Sequence, residues 1–395
     1  MNAYRQIIHL DLDAFYCAVE EQRDPALKGK AFAVGGRPEQ RGVVSSCSYA
    51  ARARGVRSAM PMRLALGLCP DLHIISPHFP AYRAASRQVI QNMKDLTPLV
   101  EQISIDEAFL EVTNFPDPVE EIARRLQDGI RQNLGLPCSL GVASNKLVAK
   151  IDTDVGKLDV KKGIPPNAIT IVPPGKEAEF LEELPVTMLW GVGPKTAERL
   201  ALLQIEKIGE LAQHPEADLV RRFGKIGYDL SLRARGIDTR PIELVHEAKS
   251  ISQEVTYAKD IRDGQKLRKT LQQQAHEVAR QLQKQNLTAR TVKIKLRWPD
   301  FTTLTRQITP GSTFRDAETI SRHALELFEK EWQRANQQPV RLIGVGVSGF
   351  ENPPQQIGLW DRDWQKDEKL RQTIADLRER FGEDVLGRGM DSREA

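Results

Sequence analysis

Apolar positions alternate with polar ones around a single acidic pair. Ile103, Ile105, Phe109 and Val112 flank Asp106-Glu107, and near the start Ile7-Ile8-His9-Leu10-Asp11-Leu12-Asp13 forms an apolar run that ends in carboxylates. Alternation of this kind predicts half-buried strands, with a short turn holding two carboxylates at the tip of a rigid hairpin. Residues 1–14 read as a strand. Helical pattern follows over 15–21, short strands over 31–34 and 43–46, and helices over 48–54 and 61–68, with Gly35-Gly36-Arg37-Pro38 as a break. Helices over 82–96 and 119–135 bracket the acidic hairpin, and 139–143 is the next strand. That order predicts an α+β layer with helices on one face of a mostly antiparallel sheet. Residues 170–238 are helical in pattern and short of strand signals. After a linker comes a strand from about 249, a helix over 264–285, strands over 289–298 and 301–308, a helix over 316–335 and a strand over 340–348. This is the β-α-β-β-α-β order of the split βαβ arrangement.

Length and composition narrow the class. With 395 residues, 40% apolar and 28% charged, the chain has the profile of a soluble globular protein of two to four domains. No apolar run approaches the roughly twenty residues of a membrane helix, and the N-terminal residues lack the pattern of a signal peptide. Cys17, Cys47, Cys69 and Cys138 are scattered, without a CxxC pair. A reducing cytosol is the expected compartment, with neither a disulfide framework nor zinc. The net charge is only +4, but residues 241–350 hold roughly 18 bases against 12 acids and residues 351–395 roughly 8 against 11. A basic segment followed by an acidic tail fits a polyanion bound by the former, as it also fits ordinary solvated faces.

If the first strand lies beside the hairpin, Asp11, Asp106 and Glu107 converge. Three carboxylates repel one another unless a cation joins them, and hard oxygen donors suit Mg²⁺. Taken singly, an Asp at a strand end is more often a turn former or helix cap than a ligand. Gly191-Val192-Gly193-Pro194-Lys195 opens a helix and would aim backbone N–H groups at a phosphate, or else simply makes a tight turn. Lys293, Lys295 and Arg297 share one strand face and, with Lys249, form a row for phosphates or a solvated surface. No internal repeat stands out.

The blocks Asp11-Leu12-Asp13-Ala14-Phe15-Tyr16-Cys17-Ala18-Val19-Glu20-Glu21 and Ser104-Ile105-Asp106-Glu107-Ala108-Phe109 closely resemble two blocks of the Y-family DNA polymerases. These are error-prone enzymes that copy damaged templates, and the resemblance is closest to the bacterial DNA polymerase IV branch. Further matches run in the family's order over nearly the whole chain. The resemblance implies an α+β multidomain, right-hand-like polymerase: a ferredoxin-like palm (1–14 and 79–167), small fingers (15–78), a helical thumb with a helix-hairpin-helix (168–239), a linker (240–248) and a split-βαβ little finger (249–350) that grips DNA. A tail (351–395) follows. It also implies two-metal nucleotidyl transfer onto a primer 3′-hydroxyl, without proofreading. Asp11 and Asp106 would bridge two Mg²⁺ ions (Mn²⁺ as a substitute), Glu107 would hold the catalytic ion, and the Leu12 carbonyl would help.

By the same resemblance Phe15 and Tyr16 amides, Ser46, Tyr49, Arg52 and Lys157 hold the triphosphate, and Tyr16 is the steric gate against ribonucleotides. Small residues at Ser45, Ser46 and Ala59 leave a loose roof. Gly191, Gly193, Lys195, Lys249, Lys293, Lys295 and Arg297 would contact DNA. In the tail, Gln356, Ile357, Leu359 and Trp360 resemble the peptide by which bacterial polymerases bind the sliding clamp, and 370–381 reads as an amphipathic helix. The expected partners are primer-template DNA, deoxynucleoside triphosphates and the clamp, the protein itself being a monomer with no membrane. One departure stands out: after Lys157 the family usually runs into Pro-x-Gly, whereas this chain reads Leu158-Asp159-Val160-Lys161-Lys162-Gly163. Three other readings compete: a non-catalytic adaptor of the same superfamily, a structure-specific DNA-binding protein and a nucleotide cyclase. Intact carboxylates argue against the adaptor, and the basic segment after 249 favours a polymer substrate.

Overall fold

A computed structural model of the chain describes residues 4–158, 164–245 and 247–351. The chain divides into two compact units that part at Glu247 and Ala248, apart from Tyr257–Lys259.

The first unit is built on a five-stranded sheet in the order Val100–Gln102, Glu107–Glu111, Ile7–Leu12, Cys138–Ala143, Ile169–Ile171. The strand made first therefore lies in the middle, antiparallel to both neighbours. The outermost pair, Cys138–Ala143 and Ile169–Ile171, runs parallel. With helices Phe79–Leu96 and Val119–Leu134, the first four strands make the β-α-β-β-α-β unit of a ferredoxin-like palm.

Helices cover both faces of this sheet, not one. Ile8, Leu10 and Leu12 pack with Val89 and Met93 of Phe79–Leu96 and with Ile122 and Leu126 of Val119–Leu134. Ile7 and Phe109 turn the other way, against Leu147, Val148 and Ile151 of helix Lys146–Gly156. Successive side chains on a strand point to opposite faces, so a near-continuous apolar run needs cover on both. The strand Glu107–Glu111 is likewise buried on both faces at Ala108, Phe109 and Leu110, where alternation predicted a half-buried one.

Between the central strand and helix Phe79–Leu96 is inserted a three-stranded sheet, ordered Val44–Cys47, Phe32–Gly35, His73–Ile75. It carries helices Phe15–Arg23, Tyr49–Ala53 and Met62–Leu68. His73–Ile75 is absent from the sequence reading. Three residues show no periodicity of their own, and this strand exists by parallel pairing with Phe32–Gly35. Downstream, five helices from Glu177–Glu182 to Lys225–Ala234 form the helical thumb.

The second unit has the order Ser250–Ile261, Gly264–Lys284, Thr288–Arg297, Thr303–Ile308, Ala317–Arg334, Val340–Glu351, again β-α-β-β-α-β. Its four strands are ordered third, second, fourth, first and are all antiparallel. The two helices pack on each other and against the sheet. Val292, Ile294 and Leu296 are buried, which leaves Lys293, Lys295 and Arg297 on the opposite, half-exposed face. Among the described residues no helix is long and apolar enough to cross a membrane, and the four cysteines are buried thiols.

Candidate active site

The sheet register brings the acidic residues together. Asp11 lies directly opposite Glu107 on the neighbouring strand, and the Leu12 amide donates to the Asp106 carbonyl at 3.0 Å. Asp106 closes the loop, whereas Glu107 opens the return strand, so only the former lies in the turn itself. Ser104 fixes that loop: its hydroxyl oxygen accepts from the amides of Asp106 (3.1 Å) and Glu107 (3.0 Å). A Ser two residues before an Asp in a tight loop is a readable turn signal, and Ser104 is the first residue the sequence reading missed.

Each of two carboxylates is met by a lysine. Lys157 Nζ stands 2.6 Å from Asp11 Oδ1 and 3.7 Å from Asp13 Oδ1. Lys150 Nζ is 3.2 Å from both oxygens of Glu107. Burial raises the Glu107 carboxyl above its usual range, opposed by Lys150 and reinforced by Asp11. His9 lies behind, fully buried, with Nε2 4.0 Å from Glu107 and Nδ1 bonded to the Thr153 hydroxyl at 2.9 Å. Burial and the two lysines push its ring well below the ordinary imidazole range, so it sits there neutral. Lys150 and Lys157 are two helical turns apart, a spacing that places both on one face. That spacing was the available signal for Lys150.

Among the described residues no three His, Cys, Asp or Glu side chains are drawn together tightly enough to hold an ion as they stand. The donor set nevertheless fits one: hard oxygens on adjoining strands, with ammonium groups already on two of them.

Beside the carboxylates opens a cavity of about 270 Å³, lined by Asp11, Leu12, Asp106 and Lys157 on one side and by Tyr49, Arg52, Ser45, Ser46 and Ser58 on the other. Ala59 is not among its lining residues. Arg52 lies over the Tyr49 ring at 4.8 Å and donates to the Cys47 carbonyl at 3.2 Å. Burial pushes the Tyr49 hydroxyl pKa well up, so it stays protonated. Phe15 and Tyr16 also line the cavity, at the start of a helix whose cap residue Ala14 takes φ 47°. The Tyr16 ring stacks on Tyr82 at 4.3 Å and 13°, with Phe79 edge-on at 6.2 Å. Tyr82, fully buried, donates to Glu20 at 2.6 Å, and Arg23 holds Glu20 in turn. Sixty-six positions separate Tyr16 from Tyr82, and no local pattern joins them.

The other sequence-selected residues are not among the lining of this cavity. Gly191 takes φ +100°, open only to glycine without strain, and a Cβ there would meet the Arg233 guanidinium at 2.6 Å. Gly193 caps helix Pro194–Ala201 with open space around it, and Lys195 is exposed in its first turn. In the second unit Lys295 pairs with Glu254 at 2.9 Å, and Arg297 donates to the Thr303 hydroxyl at 2.8 Å. Lys293 faces between Gln307 and Gly346, and Lys249 is exposed just before strand Ser250–Ile261. Gln356, Ile357, Leu359, Trp360 and the helix expected over 370–381 lie outside the described residues, as do 159–163.

Comparison with known proteins agrees with this architecture. Residues 10–154 match the impB/mucB/samB family, residues 248–359 its C-terminal domain, and residues 174–205 its helix-hairpin-helix motif. A DNA polymerase IV of Dehalococcoides mccartyi (strain CBDB1) is 38% identical over 96% of this chain and 95% of its own. One from Pseudomonas aeruginosa (strain UCBPP-PA14) is 42% identical over 87% of this chain and 95% of its own. Among solved structures, a Y-family DNA polymerase chimera, Dbh-Dpo4(243-245)-Dbh, superposes with a TM-score of 0.79 at 26% identity, covering 88% of this chain and all of that one. The chain is thus a DNA-directed DNA polymerase, dependent on a divalent cation. It belongs to the Y-family of translesion polymerases, in the DNA polymerase IV branch.

Proposed function

We propose that the cavity binds a deoxynucleoside triphosphate for two-metal transfer onto a primer 3′-hydroxyl, and that copying here is error-prone and without proofreading. The register of Asp11 against Glu107, with Asp106 at the adjoining loop, carries this reading. Asp11 and Asp106 face the cavity and would bridge two Mg²⁺ ions; Glu107 and the Leu12 carbonyl would complete their ligands. When bound, such ions lower the charge cost of an attacking hydroxyl and of the leaving pyrophosphate. The protein's own part is placement. Tyr49, Arg52, Ser46, Lys157 and the amides at Phe15 and Tyr16 surround the site for the triphosphate, Arg being well suited to phosphate oxygens. Small side chains at Ser45, Ser46 and Ser58 form the wall above. A wall without bulk cannot strongly reject a wrong or modified pair.

On this reading 1–14 with 79–167 act as palm, 15–78 as fingers, 168–239 as thumb, 240–248 as linker and 249–350 as little finger. Gly191, Gly193, Lys195, Lys249, Lys293, Lys295 and Arg297 contact the DNA backbone. The test is primer extension by purified protein with Mg²⁺ on an intact template and on one with a minor-groove guanine adduct, scoring misinsertion on both. Extension past the adduct with frequent errors supports the proposal; arrest at the adduct with accurate copying refutes the loose roof. Residues 355–395 are proposed to recruit the sliding clamp through Gln356, Ile357, Leu359 and Trp360. Their deletion should leave basal extension intact and abolish stimulation by added clamp; equal stimulation of both forms would exclude it.

A further inference from the structure

Asp13 is a buried carboxylate for which the proposed chemistry has no task. Its side chain is fully shielded, and the Ser139 hydroxyl lies 3.0 Å from both its oxygens. The Asn167 amide donates to its Oδ2 at 3.1 Å. These contacts pin it from the strand Cys138–Ala143 and from the segment that re-enters the sheet. It cannot swing out to a ligand. What it faces is Lys157, whose ammonium lies 2.6 Å from Asp11 and 3.7 Å from Asp13.

The lysine and a divalent ion compete for the same oxygen of Asp11. Both carry positive charge, and at such separation in a partly desolvated site their repulsion is strong. An ion entering at Asp11 must therefore release Lys157. The lysine stem is flexible and its head group is a point charge without fixed direction. A shift of roughly 1 Å brings it into full contact with Asp13. There the ammonium still borders the cavity. We propose that Asp13 is a positioning residue: it receives Lys157 from Asp11 as the ion enters and holds it where the triphosphate needs a cation. The inference rests on the reading that Lys157 contacts the triphosphate.

Two binding measurements test it without turnover. The first is Mn²⁺ affinity of the protein alone, by electron paramagnetic resonance. The second is affinity for the matching deoxynucleotide on a dideoxy-terminated primer-template. Lys157→Met removes the competitor, so Mn²⁺ binds tighter, by about fivefold, while nucleotide binds about tenfold weaker. Asp13→Asn leaves Lys157 nowhere else to go. It is held harder on Asp11, so Mn²⁺ binds weaker, and nucleotide also binds weaker, by about fivefold. In the Lys157→Met background Asp13→Asn then adds nothing to either quantity, because coupled residues are not additive. If Lys157→Met leaves nucleotide affinity unchanged, the triphosphate reading itself fails and the inference with it. If Lys157→Met weakens nucleotide binding but Asp13→Asn has equal effects in both backgrounds, the lysine reading survives and Asp13 is only structural. Should Asp13→Asn fail to fold, Ser139→Ala loosens the carboxylate without removing its charge. Its smaller effects of the same sign must again vanish beside Lys157→Met; their persistence overturns the inference.

Discussion

Asp106→Ala is expected to lower primer extension by about 10³-fold or more while leaving duplex binding and melting temperature close to wild type. The size follows from the proposed role. Removing one ligand common to two ions costs roughly 4 kcal/mol of transition-state stabilisation, at about 1.4 kcal/mol for each factor of ten. The clean fold follows from the structure. Two Asp106 contacts that shape the loop run through its main chain: its carbonyl accepts from Leu12, and its amide donates to Ser104. Alanine keeps both and loses only the bond that the Ser104 hydroxyl donates to the Asp106 carboxylate. The side chain is only half-buried, so no core cavity forms. The other two carboxylates are poorer choices, because Asp11→Ala would break the Lys157 ion pair and Glu107→Ala would strand Lys150. Extension by Asp106→Ala within tenfold of wild type, at equal duplex affinity, would remove Asp106 from the proposed catalytic set.

How much of this was legible in the sequence depended on the range of each contact. The central strand and the acidic pair could be read from a few neighbouring residues, and so could the break at Gly35-Gly36 and the glycine turn before Pro194. Asp11 and Glu107 could be suspected of meeting, but only pairing across the sheet sets them opposite. Burial on both faces was misread because Phe109 and Val112 belong to different cores, Phe109 packing with Ile7 and Val112 with Ile8. In the sequence Asp13 is only the end of the first apolar run. Its partners Ser139 and Asn167 lie more than a hundred residues away, out of reach of any local motif. Lys150 was the reverse case, its spacing from Lys157 visible and unused. The strand order of the second unit differs from that of the palm despite an identical element order, and no periodicity distinguishes the two.

Tyr16→Ala is expected to admit ribonucleotides, lowering the preference for deoxynucleotides in kcat/KM by about 10²-fold, roughly 3 kcal/mol. A gate must be a wall, and Tyr16 has the backing to be one. Tyr82 stacks flat behind the ring and Phe79 abuts its edge. Tyr82 is itself pinned through its hydroxyl to Glu20, which Arg23 holds in a close ion pair. Offset aromatic packing of this kind adds about 1 kcal/mol per pair beyond burial, so turning the ring aside would break several contacts at once. On the proposed reading a 2′-hydroxyl would then meet a surface that does not give. Two further variants separate wall from backing. Tyr82→Phe keeps the stack and should keep most of the selectivity, whereas Tyr82→Leu removes the flat support and should lose part of it, at some cost in stability because the residue is fully buried. Competition between matched ribo- and deoxynucleotides on one primer-template reads all three. Unchanged selectivity in Tyr16→Ala would place the gate elsewhere in the cavity; full selectivity in Tyr82→Leu would show that the Tyr16 ring stands without its support.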